Sequence, residues 1–167
     1  MRSVDVCLTH QDFDNYDHKG KIVVVIDVLR ATSTINTLLF LGADHVRPIG
    51  SLEECKSLKD HDYIIMAERL GKKVEGFDYG NSPTKLTEKD IKGKKVAIAT
   101  SNGSKAIIKS EGSEMTILCS FLNIESVINR IKKSESDVIL LCSGWLGKTN
   151  LEDTLCAGGI VAGLHKF

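Results

Sequence analysis

The residues with the most chemical capacity in this chain sit directly after apolar runs. Asp27 closes the β-branched run that begins at Lys21, and Arg30, Thr32 and Ser33 follow at once. Glu68 and Arg69 follow Tyr63–Ala67, and Ser101, Asn102 and Gly103 follow Lys94–Thr100. Asn123 comes after Met115–Cys119, while Glu152 and Asp153 lie about ten residues beyond Asp137–Cys142, where the next helix begins. Guanidinium groups offer paired donors that fit phosphate or sulfonate oxygens. Turns that open a helix add free N–H groups and the positive end of the helix dipole. Carboxylates in the same place repel an anion unless a hard cation such as Mg²⁺ bridges them. Acid, arginine and anion-binding turn together are the composition expected for metal-assisted phosphoryl chemistry.

Each residue also has a structural reading. Asp27 suits a cap on the helix that follows it. Glu68 and Arg69 suit a structural ion pair, and the Thr100–Ser104 turn is a common strand-to-helix connection. Glu152 and Asp153 suit the positive end of their own helix. What distinguishes the set is its collective place. In open parallel sheets ligands bind beyond the carboxyl ends of the strands, and here five strand ends carry clustered polar groups.

The elements that must position these groups alternate along the chain. KIVVVID, at Lys21–Asp27, reads as a strand buried on both faces, and Thr32–Leu41 as a helix stopped by Gly42. His45–Ile49 reads as a short strand, and Ser51-Leu-Glu-Glu54 as a capping box. Tyr63–Ala67, Lys94–Thr100, Met115–Cys119 and Asp137–Cys142 read as further strands. Ser104–Ser110, the stretch after Asn123 and Leu151–Leu164 read as helices, and Val4–Thr9 as an edge strand. Strands separated by helices imply a mostly parallel or mixed sheet covered on both faces, a three-layer α/β/α sandwich. The irregular stretch Arg69–Lys85, with GFDYGNSP inside it, is too rich in specific turn formers to be a mere linker.

Composition bounds the partners. A chain of 167 residues suffices for a single α/β domain over residues 1–167, since about 150 residues bury roughly 68–70% of their unfolded surface. The 22 basic and 22 acidic residues balance, which argues against broad binding of nucleic acid or an anionic membrane surface. No apolar stretch approaches the ~20 residues of a membrane span. Five singly spaced cysteines and no signal peptide point to reduced core thiols in a cytoplasmic protein. A homo-oligomer stays open.

Two near-motifs fail on inspection. CSGWLGKT has Cys142 where a phosphate-binding GxxxxGK[ST] loop needs glycine. VVVIDVLRAT is similar to the nucleophile strand of haloacid-dehalogenase-type phosphatases, but Leu29 stands where they carry a second aspartate.

Five blocks, in order, resemble the 2-phosphosulfolactate phosphatase family: VVVIDVLRATSTI, AERLGKKVEGFDYGNSP, TSNGSKAI, CSFLN and CSGWLGKTNLEDTLCAG, from about Ile22 to Gly159. The resemblance implies an α/β/α fold, a Mg²⁺ requirement and hydrolysis of 2-phospho-3-sulfolactate to sulfolactate and phosphate in coenzyme M biosynthesis. Asp27 and Arg30 fall in the first block, Glu68, Arg69, Asp78, Asn81 and Ser82 in the second. Ser101, Asn102 and Gly103 fall in the third, Asn123 in the fourth, Glu152 and Asp153 in the last. By residue chemistry, Asp27, Arg30, Glu68 and Arg69 are the expected catalytic set. Asp27, Glu68, Glu152 and Asp153 are the expected Mg²⁺ ligands. Thr32, Ser33, Asn81, Ser101, Asn102, Gly103 and Asn123 are the expected contacts to a small, anionic, phosphorylated substrate. Family members continue beyond the position of Phe167, so the domain is expected to be shortened at its C-terminus. The alternatives are a phosphatase for another small 2-phospho acid and a non-catalytic anion-binding relative.

Overall fold

The structure, a computed structural model, describes residues 3–69 and 71–165. Among the described residues eight strands fall into two four-stranded sheets. The first contains β1 (Val4–Cys7), β2 (Ile22–Ile26), β7 (Met115–Cys119) and β8 (Val138–Cys142), in the order β1-β8-β2-β7 and wholly parallel. The second contains β3 (His45–Ile49), β4 (Tyr63–Arg69), β5 (Lys72–Lys73) and β6 (Lys95–Ala99), in the order β3-β6-β4-β5. Only β5 runs antiparallel there, folding back on β4.

The helices are α1 (Ala31–Phe40), α2 (Leu52–Ser57), α3 (Glu88–Ile91), α4 (Gly103–Lys109), α5 (Ile124–Lys132) and α6 (Leu151–His165). Strands β2 and β8 are buried along their whole length, as continuous apolar runs covered on both faces should be. Their alternate residues feed two cores. Ile22, Val24, Ile26, Val138 and Leu140 pack against α5 and α6 through Val127, Ile131, Cys156 and Ile160. Val23, Val25, Ile139 and Leu141 pack toward Ala106 and Ile107 of α4. In the second sheet Met66, Val96 and Ile98 meet Ile35 and Leu38 of α1, while Ile65, Ala67, Ala97 and Ala99 meet α2 at Cys55. Helices α1 and α4 touch strands of both sheets. The α/β layering expected from the alternation is present, with its strands divided between two sheets. Each fully buried branched side chain is worth about 1.5–3 kcal/mol relative to exposure, a reserve large enough to carry polar groups buried at the strand ends.

Local chemistry sets several boundaries. Ser51 Oγ accepts the Glu54 N–H at 3.0 Å to start α2. The Glu54 carboxylate turns instead to Arg47 at 3.6 Å. Gly42, at φ +84°, ends α1 in the left-handed region as expected of that glycine. The GFDYGNSP stretch is stitched to β4. Asp78 accepts the Ile65 N–H at 2.9 Å and pairs with Lys59 at 2.9 Å, and the Ala67 N–H donates to the Tyr79 carbonyl at 3.1 Å. All five cysteines are free and buried. Burial pushes the Cys7 and Cys55 thiols up to about 11, which leaves them poor nucleophiles.

Candidate functional site

The carboxyl ends of β2 and β8 in one sheet, and of β4 and β6 in the other, open onto a common cavity of about 200 Å³. Asp27, Arg30, Glu68, Asn81, Ser101 and Asn102 border it, and Trp145 and Leu146 form part of its lip. Register explains the meeting. Ile26 pairs with Cys142, so one step further Asp27 lies beside Ser143, whose N–H donates to the Ile26 carbonyl at 2.8 Å. Ala67 pairs with Ala99, so Glu68 lies beside Thr100 at the head of the serine–asparagine turn.

Asp27 is only 7% exposed. Its Oδ1 accepts the Ala31 N–H at 3.0 Å, and its backbone carbonyl accepts the Thr32 N–H at 3.0 Å. Asp27 therefore does tie down the start of α1, and those amides are not free for a ligand. Its other oxygen, Oδ2, lies against Gly103, where a Cβ would approach it far inside the 3.0 Å limit of real contacts. Burial first, then the neighbouring Asp153 carboxylate, push the Asp27 carboxyl from 3.8 up to about 6, against the Ala31 amide and the Ser143 hydroxyl. Asp153 is fully buried, accepting the Val28 N–H at 2.8 Å and the Ser143 hydroxyl at 3.1 Å. Burial raises its carboxyl as well. The Ser143 hydroxyl thus stands between two buried acids.

Arg30 forms an ion pair with Glu68, not with a neighbour in sequence. Arg69 donates from Nη1 to the Glu68 carbonyl at 2.9 Å and does not border the cavity. The turn after β6 is locked by a reciprocal pair, in which Ser104 N–H donates to Thr100 Oγ1 at 2.8 Å and Thr100 N–H to Ser104 Oγ at 3.1 Å. That lock leaves Ser101 and Asn102 on the cavity wall. Asn81 is 6% exposed, and its Oδ1 is buried without a hydrogen-bond partner among the described residues. Such an oxygen lacks only a donor or a cation.

Three expected substrate contacts have other partners. Thr32 Oγ1 donates toward the Asp27 and Cys119 carbonyls at 2.8 and 2.7 Å, and Ser33 Oγ donates to the Val28 carbonyl at 2.8 Å. Asn123 accepts the Ser120 N–H at 2.9 Å and the Asn36 amide at 3.0 Å, and donates to the Leu118 carbonyl at 2.9 Å. None of the three borders the cavity. Conversely, Ser143, at the end of the sixth predicted strand, and Trp145 and Leu146 lie outside the expected catalytic, metal and substrate sets. The signal for the last two was the glycine-flanked Trp-Leu pair after a strand. Trp145 and Lys148 exchange backbone hydrogen bonds at 2.8 and 2.9 Å, closing a two-residue turn in which Leu146 (φ 50°) and Gly147 (φ 73°) are both left-handed. A left-handed leucine costs on the order of 1–2 kcal/mol, and here it holds two large apolar side chains at the cavity mouth.

Among the described residues no three His, Cys, Asp or Glu side chains converge closely enough to hold a metal by themselves. Asp153 has its oxygens engaged in the interior, and Glu152 accepts from Asn150 at 3.1 Å. Asp27 and Glu68, however, both border the cavity, with Asn81 beside them. One or two carboxylates completed by substrate phosphate oxygens is the usual Mg²⁺ arrangement, so the residues fit an ion shared with the substrate.

The fold and this cavity define an α/β protein that gathers acids, an arginine and amides beyond the ends of parallel strands. The family model described as 2-phosphosulpholactate phosphatase matches residues 7–167, and the chain belongs to that family. It is 42% identical over 156 residues to a protein of Caldanaerobacter subterraneus subsp. tengcongensis named "Probable 2-phosphosulfolactate phosphatase", covering 91% of this chain and 65% of that protein. Proteins of the same name from Clostridium acetobutylicum (38% over 161 residues; 95% and 68% covered) and Thermotoga maritima (42% over 146; 87% and 63%) are also similar. The chain thus spans about two thirds of the length of the curated relatives it matches. Among the described residues no helix is long and apolar enough to cross a membrane.

Proposed function

We propose that this chain is a phosphatase that hydrolyses 2-phosphosulfolactate to sulfolactate and phosphate, a Mg²⁺-dependent step of coenzyme M biosynthesis in the cytoplasm. The observation that carries the reading is the convergence of Asp27, Arg30, Glu68, Ser101 and Asn102 on one small cavity in a chain of this family. Phosphoryl transfer asks little of a protein beyond positioning and charge stabilisation. Arg30, turned from Glu68 to the ligand, holds phosphate oxygens through its paired donors. The Ser101 hydroxyl and the Asn102 amide orient the same group. Asp27 presents its carboxylate to phosphorus or to the ion that the phosphate brings, and Asp153 with Ser143 fixes its position from behind. Asp27 and Glu68 are the residues that would hold Mg²⁺, which when bound would supply Lewis-acid stabilisation of the charge on the transferring group.

The test is phosphate release from 2-phosphosulfolactate by the purified chain, with Mg²⁺ and with a chelator. Turnover that is saturable and lost on chelation supports the reading. Saturable binding with no release assigns an anion-binding relative instead. A phosphoaspartate trapped by acid quench would make Asp27 the nucleophile, and its absence during turnover would leave Asp27 as a ligand.

A further inference from the structure

A second cavity of about 510 Å³ shares Arg30, Glu68 and Gly71 with the first, and continues along Lys73, Asp78 and Lys85. Arg30 and Glu68 therefore form a wall between two adjoining chambers. Lys73 is the direct cross-strand partner of Glu68 in the β4–β5 hairpin, and residues so paired carry Cβ atoms only about 4.5–5.5 Å apart. Gly80 closes over this corner, where a Cβ would lie 3.5 Å from Lys73 Cβ and 3.9 Å from Glu68 Oε2. The acids of this chamber are already matched, Glu68 by Arg30 and Asp78 by Lys59 at 2.9 Å. Lys73 Nζ donates to the Phe77 carbonyl at 3.0 Å and keeps two further donors. Neither Lys73 nor Lys85 forms an ion pair within 4.0 Å among the described residues. With Arg30, Lys73 and Lys85 against Glu68 and Asp78 in its lining, the chamber offers surplus positive charge beside the first cavity.

We infer that this second chamber is the subsite for the sulfonate of the substrate, with Lys73 and Lys85 as specificity-determining residues. The inference rests on the phosphatase reading for the identity of the ligand, not for the chamber. A sulfonate has three acceptor oxygens and keeps its charge at any physiological pH, so two ammonium groups suit it. Placing it beyond Arg30 leaves the guanidinium between the two strong anions of one small molecule.

The test compares kcat/KM for 2-phosphosulfolactate with that for 2-phospholactate, which keeps phosphate and carboxylate but lacks the sulfonate. Lys73→Ala, Lys85→Ala and the double variant alter exposed positions, and circular dichroism checks their folding. Loss of one charge-assisted contact is worth roughly tenfold. The ratio of the two kcat/KM values should therefore fall by at least ~10-fold in the double variant, chiefly through KM. Equal loss on both substrates, or loss on neither, overturns the subsite while leaving the phosphatase reading standing. If the unaltered chain hydrolyses neither compound, calorimetric titration with 3-sulfolactate and with lactate decides. Binding of 3-sulfolactate alone, weakened by ~10-fold or more in the double variant, keeps the subsite and overturns only the hydrolysis. Binding that ignores the lysines, or no binding, overturns the subsite as well.

Discussion

The guanidinium of Arg30 and the carboxylate of Glu68 are paired on the wall common to the two cavities, with side-chain exposures of 31% and 18%. A partly exposed pair of this kind adds little to stability. Its value is positional, because it parks an arginine at the strand ends on the wall of both cavities. Exchanging one anionic partner for another costs little, whereas recruiting a free arginine from solvent would cost rotamer entropy.

Arg30→Ala should lower kcat/KM for the phosphorylated substrate by at least ~10-fold, since a hydrogen bond to a charged group is worth about 1.5–3 kcal/mol. Arg30→Lys should recover only part of the loss, because an ammonium cannot reproduce the planar fork. Steady-state kinetics on both variants checks this. Full activity in Arg30→Ala would place the anion elsewhere.

Asp27→Asn should abolish turnover and stabilise the fold at neutral pH. Folding moves the Asp27 carboxyl from 3.8 to about 6, so the native state holds its proton more tightly than the unfolded chain. The stability this contributes is complete below pH 3.8 and is lost as pH rises through 6. Ionised Asp27 then costs the metal-free protein up to about 3 kcal/mol. The variant's advantage in urea denaturation should be largest at pH 7–8 and vanish near pH 4, an advantage of about 3 kcal/mol at most. An advantage independent of pH would refute the cause given.

Gly103→Ala should be costly because its Cβ would collide with Asp27 Oδ2 and the Ala31 Cβ. Crowding of a packed site typically costs about 1–3 kcal/mol, and here it also displaces the acid on the cavity floor. Gly158→Ala, in α6 with nothing within 4 Å of its Cβ, should instead gain up to about 1 kcal/mol. Chemical denaturation of the two variants side by side gives the comparison.

Much of this arrangement was legible in the sequence. A run such as IVVVI needs no periodicity to be read as a buried strand, and the rule that ligands gather at strand ends brings Asp27, Arg30, Glu68, Ser101 and Asn102 together. The division into two sheets was not legible, because it depends on pairings such as Ile26 with Cys142, far apart in the chain. Hydroxyls were ambiguous for a similar reason. Thr32 and Ser33 can face a ligand or their own backbone, and only the packing of α1 against β7 turns Thr32 toward the Cys119 carbonyl. Glu68 suited an ion pair with its neighbour Arg69, and chain folding instead set it against the distant Arg30. Lys73 and Lys85 carry no motif of their own, and only the β4–β5 register sets Lys73 opposite Glu68.

The strained turn that lifts Trp145 to the cavity mouth has an optical consequence. Trp145 is the sole tryptophan of the chain and is 64% exposed, so nearly all indole emission arises beside the place where a ligand would enter. Phosphate or 3-sulfolactate added to the unlabelled protein should shift or quench that emission, making occupancy readable by fluorimetry without any attached dye.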